Sequence, residues 1–171
     1  THHRAVEEFF NDERPEQVFL AAAVSGGIHA NISQPAEFIH TNLAIQTSVI
    51  NAAHMAGVER LIFFGSACAY PEDIPQPTSE EVLMTGRLEP SSEYYAIAKI
   101  AGMKMCEAYN RQFGCCFLSV IPATLYGPKD NFDVETSHVL AALVAKFHRA
   151  RTLNERTVVL WGSGGPRREF L

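Results

Sequence analysis

The chain has 171 residues, 47% of them apolar and 19% charged, with a mean hydropathy near zero; these values exclude disorder, a collagen-like repeat and a coiled coil, and describe about one globular domain. The formal charge is −5, from 14 basic and 19 acidic residues scattered along the chain, so neither nucleic acid nor an anionic membrane surface is an expected partner. No apolar run approaches the roughly 18 residues of a membrane span, and Thr1-His2-His3-Arg4 carries no signal-peptide core, so a cytoplasmic location is expected. The four cysteines, Cys68, Cys106, Cys115 and Cys116, form no C-x-x-C pair and no metal-ligand spacing with histidine. That argues against a disulfide framework and against structural zinc, and leaves free thiols. The chain opens on Thr1 rather than Met and runs directly into a helical pattern, which reads as a piece of a longer polypeptide.

In chain order, a helix is expected over residues 4–11. Residues 18–23, apolar on both faces and followed by Ser25-Gly26-Gly27, predict a buried parallel strand ending in a loop. Pro35 opens a long helix over 35–56, with apolar positions near a spacing of 3.6 and Gly57 placed as its C′ residue. Residues 60–64 form a second apolar strand ended by Gly65-Ser66, which gives β-α-β order with a right-handed crossover expected. Residues 71–92, rich in Pro, Ser and Glu, predict a long irregular connection of the kind usually tied to function. A second long helix over 94–113 is closed by Gly114, and residues 115–121 read as a third strand running into Pro122-Ala123-Thr124-Leu125. After a polar loop to Glu135, Thr136 or Ser137 is expected to cap a helix from His138 to about Ala150. Residues 157–161 predict a short strand before Gly162-Ser163-Gly164-Gly165.

The spacing most suggestive of chemistry is Tyr95-Ala96-Ile97-Ala98-Lys99, because positions i and i+4 of a helix share a face. A free phenol, with a pKa of about 10, is too weak an acid–base group at neutral pH. A lysine charge about 4 Å away contributes at most about 4 kcal/mol at an effective dielectric near 20, or about three pKa units. Taken alone, the pair is equally a surface tyrosine beside a surface lysine. Gly65-Ser66-Ala67-Cys68-Ala69-Tyr70-Pro71 follows the second strand at its carboxyl end, where open α/β sheets bind ligands. Ser66, Tyr95 and Lys99 would together bind a carbonyl oxygen, protonate it during hydride delivery and hold a cofactor ribose.

At these residues the chain resembles the extended short-chain dehydrogenase/reductases, and within them the GDP-L-fucose synthases. Also carrying the resemblance are residues 18–23 through Gly26-Gly27, Ile100-Ala101-Gly102 after Lys99, Asn131-Phe132 with Ser137-His138-Val139, and Trp161-Gly162-Ser163-Gly164 with Arg168-Glu169-Phe170-Leu171. These motifs follow the family order over nearly the whole chain. The resemblance implies a partial Rossmann-like, doubly wound α/β fold: residues 1–130 from a dinucleotide-binding domain, and 131–171 the start of a smaller substrate-binding domain. It implies C3/C5 epimerisation of GDP-4-keto-6-deoxy-D-mannose followed by C4 reduction with NADPH. Catalysis would fall to Ser66, Cys68, Tyr95, Lys99 and His138, with Cys68 and His138 exchanging protons at carbons acidified by the C4 ketone. By resemblance, NADP(H) is contacted by Phe64, Gly65, Ser66, Ala67, Lys99, Pro122, Ala123, Thr124, Leu125 and His138, and the GDP-sugar by Lys146, Trp161 and Arg168. It also implies a homodimer through the helices 35–56 and 94–113.

Without the resemblance, Cys68 reads as a small buried hydrophobe, His138 as a helix-start residue, and Lys146, Trp161 and Arg168 as a solvated lysine, a core tryptophan and a surface arginine. Three positions depart from the family pattern: Lys146 stands where arginine is usual, Ala67 where a second serine is common, and Thr124 where asparagine often precedes Leu-Tyr-Gly-Pro. No G-x-x-G-x-x-G pyrophosphate loop occurs in the chain. The expectation is that it lies before Thr1, that the substrate domain continues past Leu171, that this piece alone has little activity, and that the strand at 18–23 presents an exposed edge. Two other readings are a different nucleotide-sugar epimerase or dehydratase, and a non-catalytic cofactor-binding or scaffolding derivative of the fold.

Overall fold

A computed structural model describes residues 2–75, 77–134, 136–165, 167 and 169–171. Its elements are α1 (His3–Glu13), β1 (Gln17–Leu20), α2 (Ile28–Ser33), α3 (Pro35–Met55), β2 (Arg60–Phe64), α4 (Glu93–Phe113), β3 (Phe117–Val120) and α5 (Val139–Leu153). The three strands form one parallel sheet in the order β1-β2-β3. The parallel α/β sheet is what the alternation of apolar runs and long amphipathic segments predicts, and its Rossmann-like arrangement is the one the resemblance implies.

The register aligns Val18, Leu61 and Phe117 across the sheet, and next to them Leu20, Phe63 and Ser119. With side chains alternating along each strand, these rows share one face. Leu20, Leu61, Phe63 and Phe117 pack there with Phe10 of α1, Ile50 and Ala53 of α3, and Cys106 of α4 to form the core. The opposite row is Phe19, Ile62 and Leu118, in which Phe19 and Leu118 are 64% and 57% exposed. The strands are therefore buried on one face here, not on both as their apolar sequences suggest.

Helix α3 begins with Pro35 in its first turn, where a missing N–H costs nothing. It ends at Gly57, whose φ of +73° suits a C′ position, and Gly114 closes α4 the same way with φ +70°. Asn110 then clamps the turn into β3: its Nδ2 donates to the Phe117 carbonyl at 2.7 Å and its Oδ1 accepts from the Phe117 N–H at 2.8 Å. The strands are shorter than the apolar runs. β1 ends at Leu20, because residues 21–23 leave the ladder to form the loop toward Gly26-Gly27, and β3 spans only four residues.

Three local expectations are corrected. Residues 157–161 form no strand: they stay exposed or half-exposed and pair with no neighbouring strand, and propensity alone does not hold an extended segment. The N-cap of α5 is His138 rather than Thr136 or Ser137, and no side chain caps it. The Thr136 hydroxyl is instead engaged with Asp133 at 2.8 Å. Helix α5 also runs past Ala150 to Leu153. The short α2 has no sequence signature, and Asn31 anchors it by donating from Nδ2 to the carbonyls of Gly26 and Gly27.

The loop after β1 is held by a buried amide. Asn42 of α3 accepts from the Val24 N–H at 2.9 Å and donates to the carbonyls of Val24 at 2.9 Å and Phe38 at 2.7 Å. Removing this side chain leaves both Val24 backbone groups without a partner in a largely dry site. Asn42→Ala should therefore lower the unfolding free energy by about 2–3 kcal/mol in urea titrations; a loss under about 0.5 kcal/mol would show that water replaces the amide.

Candidate functional site

The sheet presents its carboxyl ends to the loop after β1, the turn after β2 and the segment after β3. Gly65 ends β2, and its N–H donates to the Val120 carbonyl at 2.8 Å. A Cβ at this position would lie 2.9 Å from Met103 Sδ and 3.2 Å from the Val120 oxygen, so a side chain here would require its neighbours to shift where the chain turns close to β3 and α4. Ser66 follows in an extended conformation and caps a single 3-10 turn over Ala67–Ala69, its Oγ accepting from the Cys68 N–H at 3.3 Å. That turn brings the Ser66 hydroxyl and the Cys68 thiol to the same end of the sheet as the first turns of α4.

On α4, Tyr95 and Lys99 lie one turn apart. The Tyr95 ring is held edge-on by Phe38 of α3, with centroids 6.1 Å apart, and Lys99 Nζ sits 5.8 Å from its centre. Lys99 is only 4% exposed. Its Nζ donates to the Phe64 carbonyl at 2.8 Å and lies 5.0 Å over the Phe63 ring. Burial pushes the amine down to about 8. Burial likewise pushes the Tyr95 phenol up to about 12; the nearby Cys68 thiol adds to the rise and the Ser66 hydroxyl opposes it. The expected lowering of the phenol by the lysine is thus not what the structure has. The ammonium lies 5.8 Å from the ring centre, and desolvation dominates both groups.

Four of the sequence-predicted residues therefore converge: Ser66, Cys68, Tyr95 and Lys99, with Phe64 supplying the carbonyl that holds the lysine. Ala67 is exposed on the 3-10 turn. Pro122, Ala123 and Thr124 are half-buried after β3, and Leu125 is exposed. Thr124 is tied to the end of the chain: its N–H donates to the Glu169 carbonyl at 3.1 Å, its carbonyl accepts from Leu171 at 3.0 Å, and it forms an isolated parallel bridge with Phe170. His138 stands exposed at the start of α5. The segment before it touches the loop after β1, where the Gly27 N–H donates to the Thr136 carbonyl at 3.3 Å.

Lys146 and Trp161 form a separate pair. The lysine Nζ donates to the Val159 carbonyl at 3.2 Å and lies 5.3 Å from the indole centre, and Trp161 is 76% exposed rather than part of a core. Arg168 lies outside the described residues. Phe63, Gln46, Gly102 and Phe38, which surround Tyr95 and Lys99, were not legible as site residues. The one available signal was the presence of two amides, Asn42 and Gln46, four apart on the apolar stripe of α3. Among the described residues, no group of three or more His, Cys, Asp or Glu side chains is arranged to hold a metal ion, and no helix is long and apolar enough to cross a membrane.

The arrangement can act on a carbonyl. A protonated phenol, a serine hydroxyl and a thiol share one end of a parallel sheet beside a partly neutral amine. Lys99 has donors left after its bond to Phe64, which suits the hydroxyls of a nicotinamide ribose, and the loops at Gly65 and Pro122 offer backbone around it. These groups fit the nicotinamide end of a dinucleotide.

Comparison with known proteins agrees with this geometry. The GDP-L-fucose synthase of Escherichia coli (strain K12) is 54% identical over 168 residues, covering 98% of this chain and 52% of that protein. Among solved structures, a GDP-L-fucose synthetase from Naegleria fowleri bound to NADP is 34% identical with a TM-score of 0.88, covering 99% of this chain and 55% of that one. A GDP-D-glycero-L-gluco-heptose synthase from Campylobacter jejuni, solved in the presence of NADPH, is 39% identical with a TM-score of 0.89, covering 99% and 58%. The chain spans about half the length of the curated relatives it matches. Residues 1–171 match the family described as NAD dependent epimerase/dehydratase, and the chain belongs to that family.

Proposed function

We propose that this chain carries the reacting groups of an NADP(H)-dependent enzyme that converts GDP-4-keto-6-deoxy-D-mannose to GDP-L-fucose by C3/C5 epimerisation and C4 reduction. The observation that carries this reading is the convergence of Ser66, Cys68 and Tyr95 above a buried Lys99. Similarity to GDP-L-fucose synthases over nearly the whole chain supports the choice of substrate. In this reading residues 1–130 belong to the dinucleotide-binding part and 131–171 begin the substrate-binding part, and the protein acts in the cytoplasm.

Epimerisation needs a base to take the proton from C3 or C5 and an acid to return one on the opposite face. The thiol of Cys68 and the imidazole of His138 take these roles, since the ketone at C4 acidifies both carbons. When bound, NADPH supplies the hydride to C4. Tyr95 then gives its proton to the developing C4 alkoxide. A phenol at about 12 is fully protonated at neutral pH, and transfer to an alkoxide, a stronger base than phenolate, is downhill. Ser66 donates to the same oxygen, and the Lys99 charge stabilises the phenolate left behind. Phe64 to Ala67, Pro122 to Leu125, Lys99 and His138 would hold the cofactor. Lys146, Trp161 and Arg168 would hold the sugar nucleotide, the first two already paired.

The second reading, reduction or epimerisation of a different GDP-sugar, is favoured by the similarity to the heptose synthase. Assays on the full-length natural protein separate the two. Tyr95→Phe should reduce C4 turnover by about 10²–10⁴-fold. Cys68→Ser and His138→Ala should suppress solvent-deuterium incorporation at C3 and C5 before they affect reduction of a substrate already epimerised. Unchanged deuterium incorporation in both would favour the second reading, and an active Tyr95→Phe would favour a binding or scaffolding role.

Lys99 makes a pH signature. Its amine titrates near 8 in the folded state against 10.5 as the reference, so between these values the unfolded chain binds more protons and stability rises with pH. That contribution is complete above 10.5 and lost as pH falls through 8. The raised Tyr95 phenol acts in the opposite sense, but only above pH 10. Denaturation midpoints measured from pH 7.5 to 9.5 should therefore rise in the natural protein relative to Lys99→Met. Parallel curves for the two proteins would show that the amine is not depressed.

We also infer a homodimer through α3 and α4. Both helices have 21 residues, and Tyr94 and Ile97 of α4 are exposed. Light scattering on the full-length protein should give twice the chain mass and Ile97→Glu should shift it toward the monomer; a monomer in the natural protein overturns this.

A further inference from the structure

We propose that Gln46 of α3 is a positioning residue for the Tyr95–Lys99 pair, acting through the backbone of α4 and the notch at Gly102; this rests on the reading of Tyr95 and Lys99 as catalytic. Gln46 is buried, and its Nε2 donates at 2.6 Å to the carbonyl of Ala98. Ala98 lies in the turn that joins Tyr95 to Lys99. A helical carbonyl has a second lone pair free after its own helix bond, and Gln46 takes it.

The neighbouring surface of α4 gives little other registration. Ala96 and Ala98 are fully buried methyl groups, and a face of such small side chains permits close approach without fixing rotation. The next polar tie between the two helices, from Tyr109 Oη to Asn51 Oδ1 at 3.0 Å, lies about three turns farther along α4. Gln46 is therefore the polar tie between the two helices at this end, beside the edge contact of Phe38 with Tyr95.

Gly102 completes the device. A Cβ built there would lie 2.8 Å from Gln46 Oε1 and 2.3 Å from Phe63 Cζ, so the amide and the ring occupy the space that any side chain would take. The Phe63 ring is the surface over which Lys99 Nζ lies at 5.0 Å, and the next residue, Phe64, accepts from that Nζ at 2.8 Å. Gln46 thus touches the carbonyl preceding Lys99 and shares a notch with the ring beneath its ammonium. Its loss loosens the lysine without removing any group that meets substrate.

The test uses the full-length natural protein. Gln46→Leu keeps the volume and removes the amide. In this variant kcat for C4 reduction should fall about tenfold or more with KM values within about twofold, and competitive acetylation of Lys99, read by mass spectrometry, should accelerate several-fold. Gln46→Glu provides the rescue: its carboxyl can donate to the Ala98 carbonyl only when protonated, so its kcat relative to the natural protein should recover as the pH is lowered, while Gln46→Leu stays low throughout. Natural kcat in Gln46→Leu, or Lys99 acetylation at the natural rate, overturns the proposal, as does Gln46→Glu without acid recovery. Tyr95→Phe, run alongside, separates this from failure of the catalytic reading: a fully active Tyr95→Phe removes the premise, whereas an inactive one with unaffected Gln46 variants removes only the positioning role.

Discussion

The arrangement at the carboxyl end of this sheet depends on burying one ammonium group. Lys99 is enclosed where an unpaired charge is costly, and the surrounding residues answer that cost in three ways: the Phe64 carbonyl accepts a hydrogen bond, the Phe63 and Tyr95 rings present their faces, and the amine is left readier to lose its proton than an exposed lysine. Each of these requires the strand β2 and the helix α4 to meet within a narrow tolerance. Gly102 and Gly65 permit the approach, because a methyl group at either position would collide with a neighbouring ring, sulfur or backbone oxygen.

From that junction the proposed reacting groups follow in order along the chain. β2 delivers its last residue to Lys99, Gly65 turns the backbone, Ser66 caps the 3-10 turn, and the turn carries Cys68 toward the phenol. Burial holds the phenol above its ordinary value, so it is protonated at neutral pH. This is the protonation state that the proposed reduction step requires. Buried amides of α3 link the same junction to its surroundings: Asn42 holds the loop after β1, and Gln46, one turn on, holds the α4 turn between Tyr95 and Lys99.

The core is one-sided. Helices α1, α3 and α4 cover the row containing Leu61 and Phe63, while Phe19 and Leu118 on the other row remain exposed. The residues proposed to be catalytic are built on the covered side, where packing is dense. The segment that carries Lys146 and Trp161 is joined to the sheet more lightly, through the bridge of Thr124 to Phe170 and the contact of Gly27 with Thr136.

Much of this was legible from sequence because it is periodic or local. Apolar runs, Pro35 at a helix start and glycines at 57 and 114 determine the α/β order, and the i, i+4 spacing of Tyr95 and Lys99 puts them on one face of a helix. Ser66 follows from its place after an apolar strand, whereas Cys68 is singled out by the family resemblance alone. What the sequence could not determine depends on partners distant along the chain. Among the described residues, 157–161 have the composition of a strand but pair with no strand, and the outer row of the sheet, with Phe19 and Leu118 exposed, has no helix packed on it. The sign of the phenol's shift was decided by tertiary structure alone, since spacing shows that a lysine is near but not whether its charge faces the oxygen or the ring, nor how dry the site is. For the same reason Gln46 reads as one polar residue on an apolar stripe until α4 is packed against it and the Ala98 carbonyl comes within reach.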